Sequence, residues 1–505
     1  MNLAGCLEIQ AKTSPGGVAL IKPGFFGQSL SFSALMELSQ DLGSFFKARG
    51  IKEGDRVLLL LKPSFELYAS VFALMGLGAV MVLIDPGMGR KSFLTCVEKA
   101  RCDALVAPRG LRWLTRFFPR AFASIKIKLT PNSRKGKPWP LFKAQADSPC
   151  AVVFTSGGTG TPKGVAYTVG QFWAQKELIR DIFQLSPKDR DLSGFPLFSL
   201  ISLCLGVPTV IAPLNPSRPA QACPKKLLGA IQNHGVTFAS GSPAIWLRFG
   251  RYLKEQALPL PKSLRALALF GAPVPIELHR LFQGIDLYTP YGATECLPVT
   301  LIASQEVLSE TYQRTRLGAG VCVGRPVPQT QILIAPLEGE PRALPPFEVG
   351  EILASGPQMT LAYDQNPEAT QVSKVKAQGQ LWHRMGDLGY VDQVGRLWFC
   401  GRRVHRVLGL DSICVESAFL EHPEVEKAAL IEHRDKPAIV IERKDRRIKG
   451  RGMEGFFQEL ETLAQAHPKA WPIKAFFLHP KLPVDPRHNI KIDRLALGRE
   501  FGSSG

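Results

Sequence analysis

At 505 residues the chain is too long for one compact core, which predicts two or more domains; 45% hydrophobic and 21% charged residues fit a soluble globular class. The formal net charge of +19 would suit nucleic acid, a membrane surface or anionic small molecules. Two basic clusters are visible, one of Lys126, Lys128, Arg134, Lys135 and Lys137, the other of Arg443, Lys444, Arg446, Arg447, Lys449 and Arg451. Neither is interleaved with aromatics as a stacking platform would be, so nucleic acid is not expected; a solvated face, with weak attraction to acidic lipid surfaces, is.

The ten cysteines show no metal spacing, the closest pair being Cys96 and Cys102, which points to reduced thiols in a cytoplasmic setting. The opening residues, MNLAGCLEIQAKTS, lack the basic and apolar regions of a secretory signal. No membrane span is expected. The uncharged run from Leu67 to Ile84 is divided by Gly76 and Gly78, and that from Leu192 to Ser217 is broken by Pro196, Pro208, Pro213 and Pro216.

In chain order, Leu35, Leu38, Leu42, Phe45 and Phe46 recur at helical spacing after Ser33, a plausible cap, and Gly50 stops the pattern. RVLLLL, from Arg56, reads as a buried strand, followed by a helix and the strand AVMVLID. Strands alternating with helices predict a buried parallel sheet, and the texture returns around GVTFASGSPAIWLRFGRYL and LRALALFGAP. Near Val349 it changes: VGEILASG, LGYVDQ and GRLWFCGR read as antiparallel strands. After Arg402 the strands AALIEH, AIVIER and IKAFFLH and the helix GMEGFFQELETLAQAH form a small α+β unit. The expected class is α/β: a body at 1–401 with a small antiparallel region, and a mobile cap at 402–505.

The segment TSGGTGTPKG, from Thr155 to Gly164, bears on chemistry. Its lysine stands between Pro162 and Gly164 and a strand-like VAYT follows, which excludes a Walker loop. Glycines that let N–H groups converge, hydroxyls and a lysine still suit a polyphosphate, with a plain surface loop as the alternative. Glu295, after a Tyr-Gly-Ala-Thr turn, could hold Mg²⁺; Asp387 in GDLG could bind a ribose; Arg402 could grip phosphate; and Lys491 in IKI could neutralise charge in a cleft. Singly, each is more often a turn or surface residue.

Together and in this order, TSGGTGTPKG, YGATE, GDLG with GR, and the terminal K-I-x-R resemble the adenylate-forming superfamily of acyl-CoA synthetases, luciferases and adenylation domains. The stretches FPLF, NPSRPA, HGVTFASGSPAIWLRFGRYL, YGATECLPVT, GAGVCVGRPVP, WHRMGDLGY, GRLWFCGRRVHRV and PVDPRHNIKI look closest to its olefin-pathway β-lactone synthetases. The resemblance implies that a carboxylate attacks the α-phosphate of ATP, pyrophosphate leaves, and a nucleophile captures the acyl-AMP.

It further implies that Thr155, Ser156, Gly157, Gly158, Thr159, Gly160 and Lys163 hold the β- and γ-phosphates, and that Thr294 and Glu295 act in catalysis, Glu295 on Mg²⁺. Gly271, Ala272 and Pro273, with Tyr291 and Gly292, would line the base pocket; Asp387 would take the ribose, Arg402 ribose or phosphate, and Lys491 the charge developing at the α-phosphate.

Three departures separate the chain from the usual CoA-ligase pattern: Val404 and His405 at the hinge, Ile490 before Lys491, and Gly158 where a hydroxyl residue is common. The implied substrate is a long-chain 3-hydroxy acid whose own hydroxyl closes a β-lactone, with thiolase or decarboxylase partners; transfer to CoA is the alternative. His405 and His488 are expected to be structural or local to the hinge. The apolar stretch Phe195 to Ile211, with Trp246 and Phe249, is a candidate acyl channel or plain core.

Overall fold

The computed structural model describes residues 3–24, 27–132, 135–136, 139–155, 162–445, 452–484 and 492–502. Among these, three sheets organise a mixed α/β chain. The largest joins the parallel strands Val18–Lys22, Thr209–Val210, Asp191–Ser193, Phe238–Gly241, Ala266–Leu269 and Asp286–Ala293 to an antiparallel run through Cys296–Ala303, Val321–Pro326, Leu397–Arg402, Gln380–Val391, Gly350–Ser355 and Gln331–Ala335. A second sheet runs Ala362–Tyr363, Lys163–Thr168, Pro149–Thr155, Val80–Leu83, Arg56–Leu59, Ala104–Val106 and Ile127–Leu129. The strands are short and apolar in the parallel parts, as burial on both faces requires.

Local sequence explains the helices that cover these sheets. Helix Phe32–Ala48 buries Leu35, Ser39, Leu42 and Phe46, three or four residues apart. Its cap is Ser31 rather than Ser33: the Ser31 hydroxyl accepts from the Ala34 N–H at 3.1 Å, whereas Ser33 lies inside the first turn and donates to the Pro15 carbonyl. Gly43 on this helix is required by packing, since a Cβ there would lie 2.1 Å from the Trp139 ring. Helix Phe65–Gly76 is buried continuously from Leu67 to Gly76, which accounts for the lack of charge after Glu66. One core cluster carries residues of both sheets, among them Leu20 and Val57, around these helices.

The candidate channel residues divide. Trp246 and Phe249 are fully buried and pack edge-on at 5.5 Å against each other, with Phe282 behind them. They form the apolar face of helix Pro243–Glu255, so they are core and not channel lining. Phe195 and Phe198 instead stack on Phe270, with ring centroids 5.0 and 4.5 Å away, next to Gly271.

The third sheet, Val425–His433, Lys436–Arg443 and Ala475–Leu478, has its own core, including Phe419, Leu430, Ile439, Phe456 and Leu460. It meets the body through Glu421, which accepts from Tyr312 and pairs with Arg316 at 3.0 Å, and through His467, whose Nε2 lies 3.0 Å from the Arg316 carbonyl. No described helix is long and apolar enough to cross a membrane.

Candidate active site

Parallel α/β sheets bind ligands where strands deliver loops at their carboxyl ends. Strands Pro149–Thr155 and Lys163–Thr168 pair antiparallel, with Thr155 opposite Lys163 where the glycine-rich segment leaves the first strand and enters the second. Of the expected phosphate-loop residues, Ser156, Gly157, Gly158, Thr159 and Gly160 lie outside the described residues, as do Lys491 and His488 near the other end of the chain. Thr155 is half-buried, and the Lys163 ammonium sits 5.0 Å from the centre of the Tyr363 ring.

Glu295 belongs to a second tight turn. Ala293 pairs with Cys296, leaving Thr294 and Glu295 as the loop of a hairpin between Asp286–Ala293 and Cys296–Ala303. Gly292 is demanded there, because a Cβ would lie 2.6 Å from the Cys296 carbonyl. The Thr294 carbonyl accepts from the Tyr167 hydroxyl, and the Glu295 carbonyl from the Thr360 N–H at 2.8 Å. The Glu295 carboxylate accepts from the Tyr363 hydroxyl at 2.6 Å.

Tyr363 is itself fixed by its short strand, where it pairs with Val165, and by its neighbour Asp364. The Asp364 carboxylate accepts two bonds from the Arg56 guanidinium, at 3.0 and 2.7 Å, and the Asp364 N–H donates to the Gly164 carbonyl. Two-point pairing of this kind sets direction as well as position. Tyr363 thereby joins Lys163 to Glu295.

Asp387 and Arg402 sit opposite each other on neighbouring strands. Arg402 donates to Oδ1 of Asp387 at 2.8 Å, and the Tyr291 hydroxyl donates to Oδ2 at 2.6 Å. Burial, then the Asp387 charge, raises the Tyr291 hydroxyl well above the usual phenol range, so it remains a donor. Gly271 follows strand Ala266–Leu269 with a left-handed φ of 91°, and Gly271, Ala272 and Pro273 are exposed or half-buried.

Sequence reasoning missed two buried bases beside this cluster. Lys374 and His383 face each other across paired strands. The Lys374 amine is buried with no hydrogen-bond partner among the described residues, and burial lowers it to about 8 against the pull of Glu295. His383 is 2% exposed, its Nδ1 also without a partner, and burial followed by the Lys374 charge holds it well below the usual histidine range. Lys163 and Arg402 also act on His383, and Arg402 on Glu295. Lys374 and Arg402 thus act on one oriented carboxylate, with Lys163 against the Tyr363 ring that bonds it and His383 beside Lys374, which is a setting for a polyanion. Lys374 lies in no glycine-rich or charged motif, and Tyr363 stands in LAYDQN with no pattern to mark it; His383 lies within WHRMGDLGY, where Asp387 rather than the histidine drew attention.

A model of the AMP-binding enzyme family matches residues 7–364. The chain belongs to the AMP-binding enzyme family. Over 98% of its length it is 34% identical to an olefin beta-lactone synthetase of Xanthomonas campestris pv. campestris, covering 96% of that protein, and equally so to one of Stenotrophomonas maltophilia. It is 29% identical to the 2-succinylbenzoate–CoA ligase of Geobacillus kaustophilus over 79% of each chain. Among solved structures, the O-succinylbenzoate coenzyme A synthetase of Bacillus subtilis in complex with ATP and magnesium ion aligns with a TM-score of 0.80 at 23% identity, over 97% of this chain and 98% of that one. At that identity the likeness establishes the fold. As a member of this family, the protein is an adenylate-forming acid ligase.

Proposed function

We propose that the protein activates a long-chain 3-hydroxy fatty acid as its acyl-AMP and closes it to a β-lactone, releasing AMP and pyrophosphate. The observation that carries this reading is the 34% identity, end to end, to two olefin beta-lactone synthetases, against 29% over about four-fifths of the CoA-ligase relative.

Lys163 would hold the outer phosphates, with Thr155 and the segment Ser156–Gly160. Magnesium ordinarily takes one or two protein carboxylates and completes its shell with phosphate oxygens and water. Glu295, aimed by Tyr363 and set among Lys163, Lys374 and Arg402, fits that pattern. Among the described residues no group of three or more metal-ligating side chains competes with it. The metal would neutralise the phosphates and polarise the bond to pyrophosphate.

Asp387, already accepting from Tyr291 and Arg402, presents an acceptor to the ribose hydroxyls. Gly271, Ala272 and Pro273, with Tyr291 and Gly292, would bound the base. Residues 402–505 would move as one unit to bring Lys491 to the α-phosphate. In the second step the substrate 3-hydroxyl attacks the acyl carbon and gives up its proton, and AMP leaves with the electrons of the acyl–oxygen bond. Holding hydroxyl and carbonyl on one bound chain supplies the effective concentration for this attack.

The test is product analysis with ATP, Mg²⁺ and a 2-alkyl-3-hydroxy acid, with and without CoA. A β-lactone formed without CoA is expected. Acyl-AMP accumulating with no lactone overturns the reading, and a CoA-dependent thioester replaces it with acyl-CoA synthesis. Absence of pyrophosphate exchange with every acid would leave only a binding protein.

A further inference from the structure

The second sheet ends at strand Ile127–Leu129, and the connection into that edge strand leaves Ala104–Val106 through two short helices, Arg109–Arg112 and Leu114–Phe117. Leu114 and Phe118 turn inward and pack on the core beneath the sheet. Trp113 and Phe117, one turn apart, point the other way and are 57% and 73% exposed; Leu111 is exposed beside them. Arg109, Arg112 and Arg116 are interleaved with these apolar side chains, all exposed, and the Arg116 guanidinium lies 4.5 Å over the Trp113 ring.

From Ala104 to Ala146 the sequence contains no aspartate or glutamate. Nearby, Glu98 pairs with Arg120 at 3.0 Å. The basic clusters noted in the sequence begin at Lys126, so the aromatic–arginine mixture at 109–117 is a separate feature.

Large apolar side chains exposed together among cations, in a stretch of chain without acids, match one kind of partner. An acidic protein would satisfy the arginines but leave Trp113 and Phe117 without a reason to be exposed together. The boundary of an anionic bilayer takes both: phosphates accept from the arginines while the indole and phenyl rings enter the headgroup–acyl region. We propose that the face formed by Leu111, Trp113 and Phe117, with Arg109, Arg112 and Arg116, docks the enzyme on anionic lipid bilayers. Arginine is suited to this role because its planar guanidinium can stack on the indole and bind phosphate together. The inference stands independently of which acid is activated.

The test is co-sedimentation of the full chain with vesicles of phosphatidylcholine alone and with 30% phosphatidylglycerol, followed by tryptophan emission. Binding to the anionic vesicles with a blue shift is expected, with little binding to the neutral ones. Replacing Trp113 and Phe117 by alanine together should lower partitioning about tenfold or more and abolish the shift. Arg112→Gln and Arg116→Gln should each lower it roughly fivefold. ATP–pyrophosphate exchange in the absence of lipid should be unchanged in every variant, which excludes misfolding. Two results overturn the proposal: no binding to anionic vesicles, or binding that survives loss of both aromatics and disappears only with salt, as the overall net charge alone would produce.

Discussion

The Tyr363 hydroxyl donates a 2.6 Å hydrogen bond to the Glu295 carboxylate, across 68 residues of sequence, while its ring lies under Lys163. One side chain therefore registers the lysine proposed to hold phosphate against the acidic residue that would carry the metal. Tyr363→Phe keeps the ring and removes the bond. Charge-assisted bonds of this type are worth roughly 1.5–3 kcal/mol, or about ten- to hundredfold. ATP–pyrophosphate exchange measured against magnesium concentration should show that loss mainly as a shift to higher Mg²⁺, with melting temperature little changed. Exchange indifferent to the substitution at all Mg²⁺ concentrations would remove Tyr363 from the site.

Asp387 receives two donors, Tyr291 and Arg402, on its two oxygens. An asparagine in its place offers one acceptor and one N–H₂, so whichever way it is oriented one donor is opposed. Asp387→Asn should therefore raise the KM for ATP about ten- to hundredfold and lower stability, with Arg402 left poorly compensated. Tyr291→Phe should give a smaller effect on KM and leave Arg402 paired. Unaltered ATP affinity in the asparagine variant would argue that the ribose lies elsewhere.

How much of this was legible in the sequence depends on how local each feature is. Lys163, Glu295 and Arg402 occupy strand ends or a turn, and Asp387 lies inside strand Gln380–Val391 directly after Gly386; in each case glycine and order of occurrence leave a mark. The alternation of strand and helix likewise follows from apolar runs. Tyr363 and Lys374 stand in no motif, and His383, although inside WHRMGDLGY, is not marked as part of the site, because the significance of all three comes from pairing between strands, which no spacing encodes. Trp246 and Phe249 were ambiguous for the opposite reason: pockets and cores draw on the same side chains, and only their complete burial against Phe282 assigns them to the core. The Ser31 cap was missed by two residues because two serines flank the helix start and only backbone geometry separates them.

Lys374 supplies a pH test. Its folded value of about 8 lies below the ordinary 10.5, so between those two pH values the unfolded chain holds the proton that the folded one has released. Stability contributed by this group thus rises with pH through that window, and below pH 8 its burial costs up to roughly 3 kcal/mol. Lys374→Met removes the titration. The variant should melt higher than the parent at pH 7.5, and the gap should narrow as the pH approaches 10.5. A gap constant with pH would mean that the amine is charged and paired in solution.

Asp191 works in the reverse direction. It is 1% exposed at the start of a parallel strand, and neither carboxylate oxygen makes a well-formed hydrogen bond. Burial raises it to about 7 from the ordinary 3.8, and the neighbouring hydroxyls of Ser202 and Ser199 offset only part of that. The folded chain therefore keeps a proton that the unfolded chain loses, so stability falls as pH rises from about 4 to 7, by up to about 4 kcal/mol. Asp191→Asn has nearly the same volume and no charge to bury. It should match the parent near pH 4 and exceed it in melting temperature above pH 7, with ATP–pyrophosphate exchange intact. A variant less stable than the parent at pH 8 would show that the ionised carboxylate is satisfied in the folded protein.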